Sequence, residues 1–207
     1  MTLVLLFAKL ISSLNILRFS INDVDDARKA ISALRAIKNP TEVPSRVAEI
    51  LAAVGTRGDS GVLDLTRKFD SQTLAKPDDL LVTSQEIEDA YSRMDASSIN
   101  ALKAVARQIR AVTRNQISRF KEKRFVTPLG FRIIERYVPL ERIGGYVPGG
   151  LAAYPSTVLM ICIPARTAGV REISIASPPR SDRSIPDSVL AAAFLGGASR
   201  VYKIGGA

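Results

Sequence analysis

The 207-residue sequence contains no histidine and a single cysteine, Cys162. The missing histidine removes every catalytic triad built on an imidazole base. The two shortages together remove the usual zinc sites, which need several Cys or His donors. One cysteine forms no internal disulfide, so the sequence carries no mark of an oxidising compartment. Cys162 lies inside the apolar run Val158-Leu159-Met160-Ile161-Cys162-Ile163, where a buried, unreactive thiol is expected. Long uninterrupted apolar runs are also missing. The first nineteen residues, MTLVLLFAKLISSLNILRF, are apolar, but Lys9 divides them. A membrane span needs about 18 apolar residues in a row. A signal peptide sets basic residues ahead of its apolar core and a small-residue cleavage site behind it, and neither is clear here. Residues 1–20 read as an extension outside the globular pattern, either an early start codon or a docking helix, and no membrane partner is expected.

The chain as a whole has the composition of an ordinary soluble globular protein, 46% hydrophobic and 24% charged, with length enough for one large domain or two small ones. Twenty-nine Lys and Arg against 20 Asp and Glu give a net charge of +9. That balance permits an anionic partner without assigning one.

Residues 21–143 carry helical signals. Asn22 or Asp23 caps a helix running to Ile37, which Asn39-Pro40 stops. Thr41 precedes a second helix over Val43–Val54, with Pro44 in its first turn. The segment TRGDSGVLDLTRKFD predicts a glycine turn and a short helix. Ser84 starts another helix, with Glu86 and Glu88 favoured in its first turn by the helix dipole. The longest helix is predicted over Ala96–Arg124, with Leu102, Val105, Ile109, Val112, Ile117 and Phe120 on one apolar face. Lys103, Arg107, Arg110 and Arg114 make a basic stripe on another face. No aromatic residues interleave with that stripe as a base-stacking surface requires, so it reads as a solvated helix face and no nucleic-acid partner is expected.

After Arg124 the period changes. Phe131–Val138 and Arg142–Val147 read as strands. Ser156-Thr157 caps an apolar helix that Pro164 distorts and Gly169 ends. Glu172–Ser177, EISIAS, reads as a buried strand. Asp187 caps the Ala-rich helix Ser188–Leu195, and Val201–Ile204 is the next strand. Helix and strand in alternation predict an α/β fold with a parallel sheet. The sequence stops at Gly205-Gly206-Ala207 directly after that strand. A parallel sheet needs both faces covered, so a bare final strand with an unpaired edge and a truncated C-terminus are expected.

The densest motif is Gly144-Gly145-Tyr146-Val147-Pro148-Gly149-Gly150, between a strand and a helix. Glycines let backbone approach a flat or anionic ligand, a helix N-terminus adds donors, and Tyr146 adds an aromatic face. Tyr146, Gly149 and Gly150 are the candidate nucleotide-binding residues. A tight turn with a half-buried tyrosine remains the alternative. The motif is not GxGxxG, and no GxxxxGK[ST] loop is present. The carboxylates Asp59, Asp64, Glu135 and Glu141 show no acid–base pairing by spacing.

The run RIGGYVPGGLAAYPSTVLMICIPARTAGVREISIASPP, with VLAAAFLGGASRVYKIGGA after it, resembles histidinol dehydrogenase. RGDSGVLDLTRKFD upstream is similar to the same family, and the resemblance extends from about residue 21 to the last. It implies oxidation of L-histidinol to L-histidine in two NAD-dependent steps, in a cytoplasmic homodimer with one zinc per site. It also implies residues 21–143 as the mainly helical part of a discontinuous first domain and 144–207 as the start of a Rossmann-like, aldehyde-dehydrogenase-like NAD-binding domain. Tyr146 matches the family's NAD-contacting tyrosine. The family's zinc ligands, its Glu-His acid–base pair and its substrate-binding histidines match no residue here, so the chain alone is expected to be inactive. The alternative is a non-catalytic nucleotide-binding half-protein or partner subunit.

Overall fold

The structure, a computed structural model, describes residues 24–25, 28–29, 42–70, 74–149 and 152–205. The chain divides into two compact units, residues 1–46 and 47–207. In the first, Val24, Asp25, Arg28 and Lys29 are helical. The rest of the helix expected over 22–37, and its Asn39-Pro40 stop, lie outside the described residues.

Helix α1 (Glu42–Arg57) covers the helix predicted over Val43–Val54. Gly58 then turns the chain at φ 56°, a left-handed conformation that glycine takes without strain, and α2 (Asp59–Phe69) follows. A short 3-10 turn, Pro77–Leu80, leads into α3 (Ser84–Arg93). It starts at Ser84 as predicted, capped by Thr83: the Glu86 N–H donates to Thr83 Oγ1 at 3.1 Å, and Thr83 N–H donates to Glu86 Oε2 at 2.8 Å. That reciprocal box satisfies two otherwise unpaired donors.

The longest helix, α4, spans Ala96–Ile117 and is shorter than expected. Lys123–Val126 forms strand β1, which pairs antiparallel with β2, Arg132–Glu135. Phe120 therefore lies off the helix and 55% exposed. The buried face of α4 agrees in part with the prediction, since Leu102 and Ile109 pack against the core. Ile99, Ala106 and Thr113 are buried, while Val105 and Val112 are exposed. Close packing of α4 on the next helix selects small side chains at the contact, and the Thr113 hydroxyl is satisfied by donating to Ile109 O at 2.7 Å.

Residues 142–203 form the α/β part. Strands β3 (Arg142–Tyr146), β4 (Glu172–Ser177) and β5 (Arg200–Lys203) make a parallel sheet in that order. Helix α5 (Pro155–Ala168) connects β3 to β4, and α6 (Asp187–Gly196) connects β4 to β5. Tyr154, not Ser156-Thr157, is the N-cap of α5, and Pro155 takes the first position, where its missing N–H costs nothing. The helix continues through Pro164 and ends at Gly169, φ 94°. Pro186 rather than Asp187 caps α6. The Asp187 carboxylate instead accepts two bonds from Arg93 at 2.7 and 2.8 Å, tying α6 to α3. Those bonds hold its carboxyl below the ordinary range.

One apolar core joins the sheet to the helices. Ile173, Ile175 and Val201 face Val158, Leu159 and Cys162 of α5 and Val189 and Ala192 of α6, with Ala90 of α3 and Ala106 of α4 in the same cluster. The edge of β5 is not bare as expected. Val82 N–H donates to Val201 O at 2.9 Å, and Leu81 bridges Tyr202 antiparallel. No helix among the described residues is long and apolar enough to cross a membrane.

Burial also fixes the chemistry of Cys162. Its side chain is fully enclosed, and burial pushes the thiol up to about 11, against the weaker opposing field of Arg166. Raised from 9.0 to about 11, the thiol leaves about a hundredfold less thiolate near neutral pH. Iodoacetamide should alkylate Cys162 about a hundredfold more slowly in the folded chain than in urea. Equal rates would contradict the packing of α5 described here. Because the folded value is raised, this group adds stability below its ordinary value of 9.0 and withdraws it as pH rises toward 11.

Candidate functional site

In open parallel sheets, ligands bind outside the carboxyl ends of the strands. Here three segments meet there: Val147-Pro148-Gly149 after β3, Pro178-Pro179 after β4, and Ile204-Gly205 after β5. They pack tightly on one another. A Cβ on Gly149 would lie 2.6 Å from Pro178 Cγ, and one on Gly205 would overlap Pro178 Cβ. The close approach that Gly149 permits is thus to Pro178, within the chain. Gly150, the third candidate, lies outside the described residues. Ser177, at the end of β4, is buried and its Oγ has no hydrogen-bond partner. An unsatisfied buried hydroxyl costs about 1–3 kcal/mol, and Ser177 points to the helix-covered side of the sheet with Ile173 and Ile175.

Strand alternation gives the sheet two faces. Gly145 turns toward α5, where a Cβ would meet Ile161 Cγ2 at 2.6 Å. Gly144 turns the other way, and a Cβ there meets nothing within 4 Å. Tyr146 shares that open face and is 55% exposed. The register aligns Tyr146 with Ala176 and Ala176 with Tyr202. Two tyrosines therefore flank an alanine, above a second row of Gly144 and Ser174. A cavity of about 260 Å³ lies among them. Its floor of small side chains between aromatic walls suits a planar ring. The sequence reading found Tyr146 but not Tyr202. Only the register aligns them, although Tyr202 does stand in an alternating strand beside Val201 and Lys203.

Beneath β5 lies a second polar feature. Lys203 Nζ donates to Glu86 Oε1 at 2.7 Å, and Lys203 is only 9% exposed. Burial alone would raise the Glu86 carboxyl, but the bonds from Lys203 and Thr83 outweigh it and leave it below its ordinary range. The pair anchors the strand that leads to Gly205. Of the carboxylates singled out in the sequence, Asp64 accepts from Arg57 at 2.7 Å. Asp59, Glu135 and Glu141 are exposed, and the structure brings no two of the four into an acid–base pair.

The donor chemistry does not fit zinc. There is no histidine, the one thiol is buried and protonated, and among the described residues no three of His, Cys, Asp or Glu converge. The open face does fit a nucleotide, with an exposed aromatic ring and a small-residue floor.

Residues 34–207 match the sequence model of histidinol dehydrogenase. The chain is 41% identical over 187 residues to a histidinol dehydrogenase of Geobacillus kaustophilus, covering 89% of this chain and 42% of the relative. It is 43% identical over 165 residues to histidinol dehydrogenase 2 of a Nostoc species, covering 78% and 36%. The crystal structure of histidinol dehydrogenase from Elizabethkingia anophelis superposes with a TM-score of 0.72 at 30% identity, over 79% of this chain and 37% of that one. The chain thus spans about two fifths of the length of the curated relatives it matches.

Proposed function

The chain belongs to the histidinol dehydrogenase family, and on that premise we propose that its residues 144–207 form the NAD-holding part of an enzyme oxidising L-histidinol to L-histidine in two steps. The observation that carries this is Tyr146, more than half exposed over a floor of small residues at the carboxyl end of β3. When bound there, NAD supplies the acceptor for hydride leaving the substrate carbon. The chain's own part is to hold it. Tyr146 offers a stacking face, and Gly144, Ser174 and Ala176 leave room for a ring. Helices α3 and α4 supply the helical support, including Glu86, which fixes Lys203. The zinc that the family implies finds no donor set among the described residues. We assign the metal, together with the proton-transfer groups, to residues outside these 207. Cytoplasmic location and a homodimer belong to the same proposal.

The division of labour is testable on the purified chain. Saturation-transfer NMR with NAD should show the dinucleotide in contact with protein. Histidinol and NAD together should yield no NADH, with zinc or without it. Zinc-dependent NADH formation by this chain would overturn the assignment of the catalytic groups elsewhere.

A further inference from the structure

At the far end of α5 from the tyrosine face lies a cavity of about 490 Å³, lined by Arg110, Arg114, Ile117, Ser118, Arg166 and Thr167. Arg110 and Arg114 are four residues apart on α4, so they stand one above the other on one face. Arg166 comes from the last turn of α5. No carboxylate lines the cavity. Among the described residues, neither Arg110 nor Arg114 makes an ion pair or side-chain hydrogen bond. Arg166 is committed differently. Its guanidinium donates to Gly197 O at 2.9 Å, Arg171 O at 2.7 Å and Ser199 Oγ at 3.1 Å. Those partners are neutral, so its charge stays uncompensated. Three guanidinium groups thus face one space with no anion opposite.

The C-termini of α4 and α5 end beside the cavity, and each helix end contributes about half a negative charge. Three full positive charges exceed that sum, so the cavity's field attracts anions. The ten N–H donors of Arg110 and Arg114, on adjacent turns, match an oxyanion that accepts from several sides. The Ser118 and Thr167 hydroxyls already donate to Asn115 O and Ile163 O at 2.7 Å. They offer no spare proton, so recognition rests on the arginines.

The geometry points to this cavity as a binding site for a small phosphate anion, held by Arg110 and Arg114 with Arg166 as a fixed positive wall. The 14 residues of α5 separate it from the tyrosine face by roughly 20 Å at 1.5 Å rise per residue. It is therefore a second site, and it does not rest on the NAD reading.

The test uses the purified chain, with inorganic phosphate and pyrophosphate titrated calorimetrically at low salt. Arg110→Ala/Arg114→Ala is the main variant, because alanine keeps α4 helical and Arg166, which ties the turn at Arg171 to the turn at Gly197–Ser199, is left alone. The expected result is saturable binding that weakens at least tenfold in the double variant and weakens as sodium chloride rises. Circular dichroism melts of the variant should match the parent, separating lost binding from lost folding. Equal phosphate affinity in parent and variant would overturn the site. So would binding of duplex DNA without any phosphate binding, which would mark a solvated basic stripe. Competition between phosphate and NAD would overturn it as well, because the phosphate would then occupy the dinucleotide crevice.

Discussion

Gly145→Val should destabilise the folded chain by about 3 kcal/mol, at the upper end of the usual cost of overpacking a core. The first added carbon already lies 2.6 Å from Ile161 Cγ2 and 3.0 Å from its Cδ1, with Ile175 Cδ1 at 3.3 Å. Ile161 is β-branched and cannot swing away cheaply within a helix. Ile175 is fully buried in the central strand. Relief would therefore require β3 to part from α5, and Tyr146 would move with it. The neighbouring Gly144→Ala is the control. Its Cβ enters open space, and a strand glycine replaced by alanine gains about 0.5–1 kcal/mol. Urea melts should place the two variants on opposite sides of the parent. Comparable destabilisation in both would contradict the assignment of the two sheet faces.

Glu86→Leu should cost about 1–3 kcal/mol, and Glu86→Leu/Lys203→Met should recover most of that loss. Breaking a fully buried pair costs about 3–5 kcal/mol. The Glu86 side chain is 42% exposed and that of Lys203 11%, so solvent screening reduces the figure. The single variant leaves a nearly buried ammonium without its partner, whereas the double variant leaves no charge to compensate. The folded Glu86 carboxyl lies below its ordinary value near 4.5. Its contribution is therefore complete above that value and is lost as pH falls through the lower folded one. Glu86→Gln should accordingly differ from the parent at pH 7 and converge with it at acid pH. A difference that persists at acid pH would show that Glu86 acts through packing, not charge.

Much of the α/β half is legible because its elements are punctuated by local chemistry. Glu172–Ser177 alternates strictly, with Ile173, Ile175 and Ser177 buried. Gly169 and Gly197 end α5 and α6 at positive φ. The helical half is legible as helices but not as faces. Spacing marks Leu102 and Ile109, which pack on the core, but also Val105 and Val112, which are exposed while Ala106 and Thr113 are buried, because how closely two helices approach is a tertiary property. Of the β1–β2 hairpin, β2 lies within the strand predicted over Phe131–Val138, while β1 went unread because Lys123-Arg124 continue the charged pattern of α4. Its turn does have a signal, Pro128-Leu129-Gly130, with Gly130 at φ 85°. Within the site, Tyr146 follows from its glycine-rich setting. Tyr202 needs the strand register, and the partner of Lys203 lies 117 residues away, where no local pattern reaches. Ser156 and Thr157 illustrate the converse. They look like a cap, but Pro155 already occupies the first turn and moves the boundary back to Tyr154.

The central claim, that Tyr146 and the open sheet face hold the dinucleotide, is tested most directly by titrating NAD into the purified chain and its Tyr146→Ala and Tyr146→Phe variants by calorimetry. The chain contains no tryptophan, so heat is a better signal than intrinsic fluorescence. Base stacking on an aromatic ring contributes about 1–3 kcal/mol. The account predicts saturable binding by the parent, affinity close to parental in Tyr146→Phe, and a loss of about tenfold or more in Tyr146→Ala. Equal affinity in all three proteins, or no binding by the parent, would contradict it.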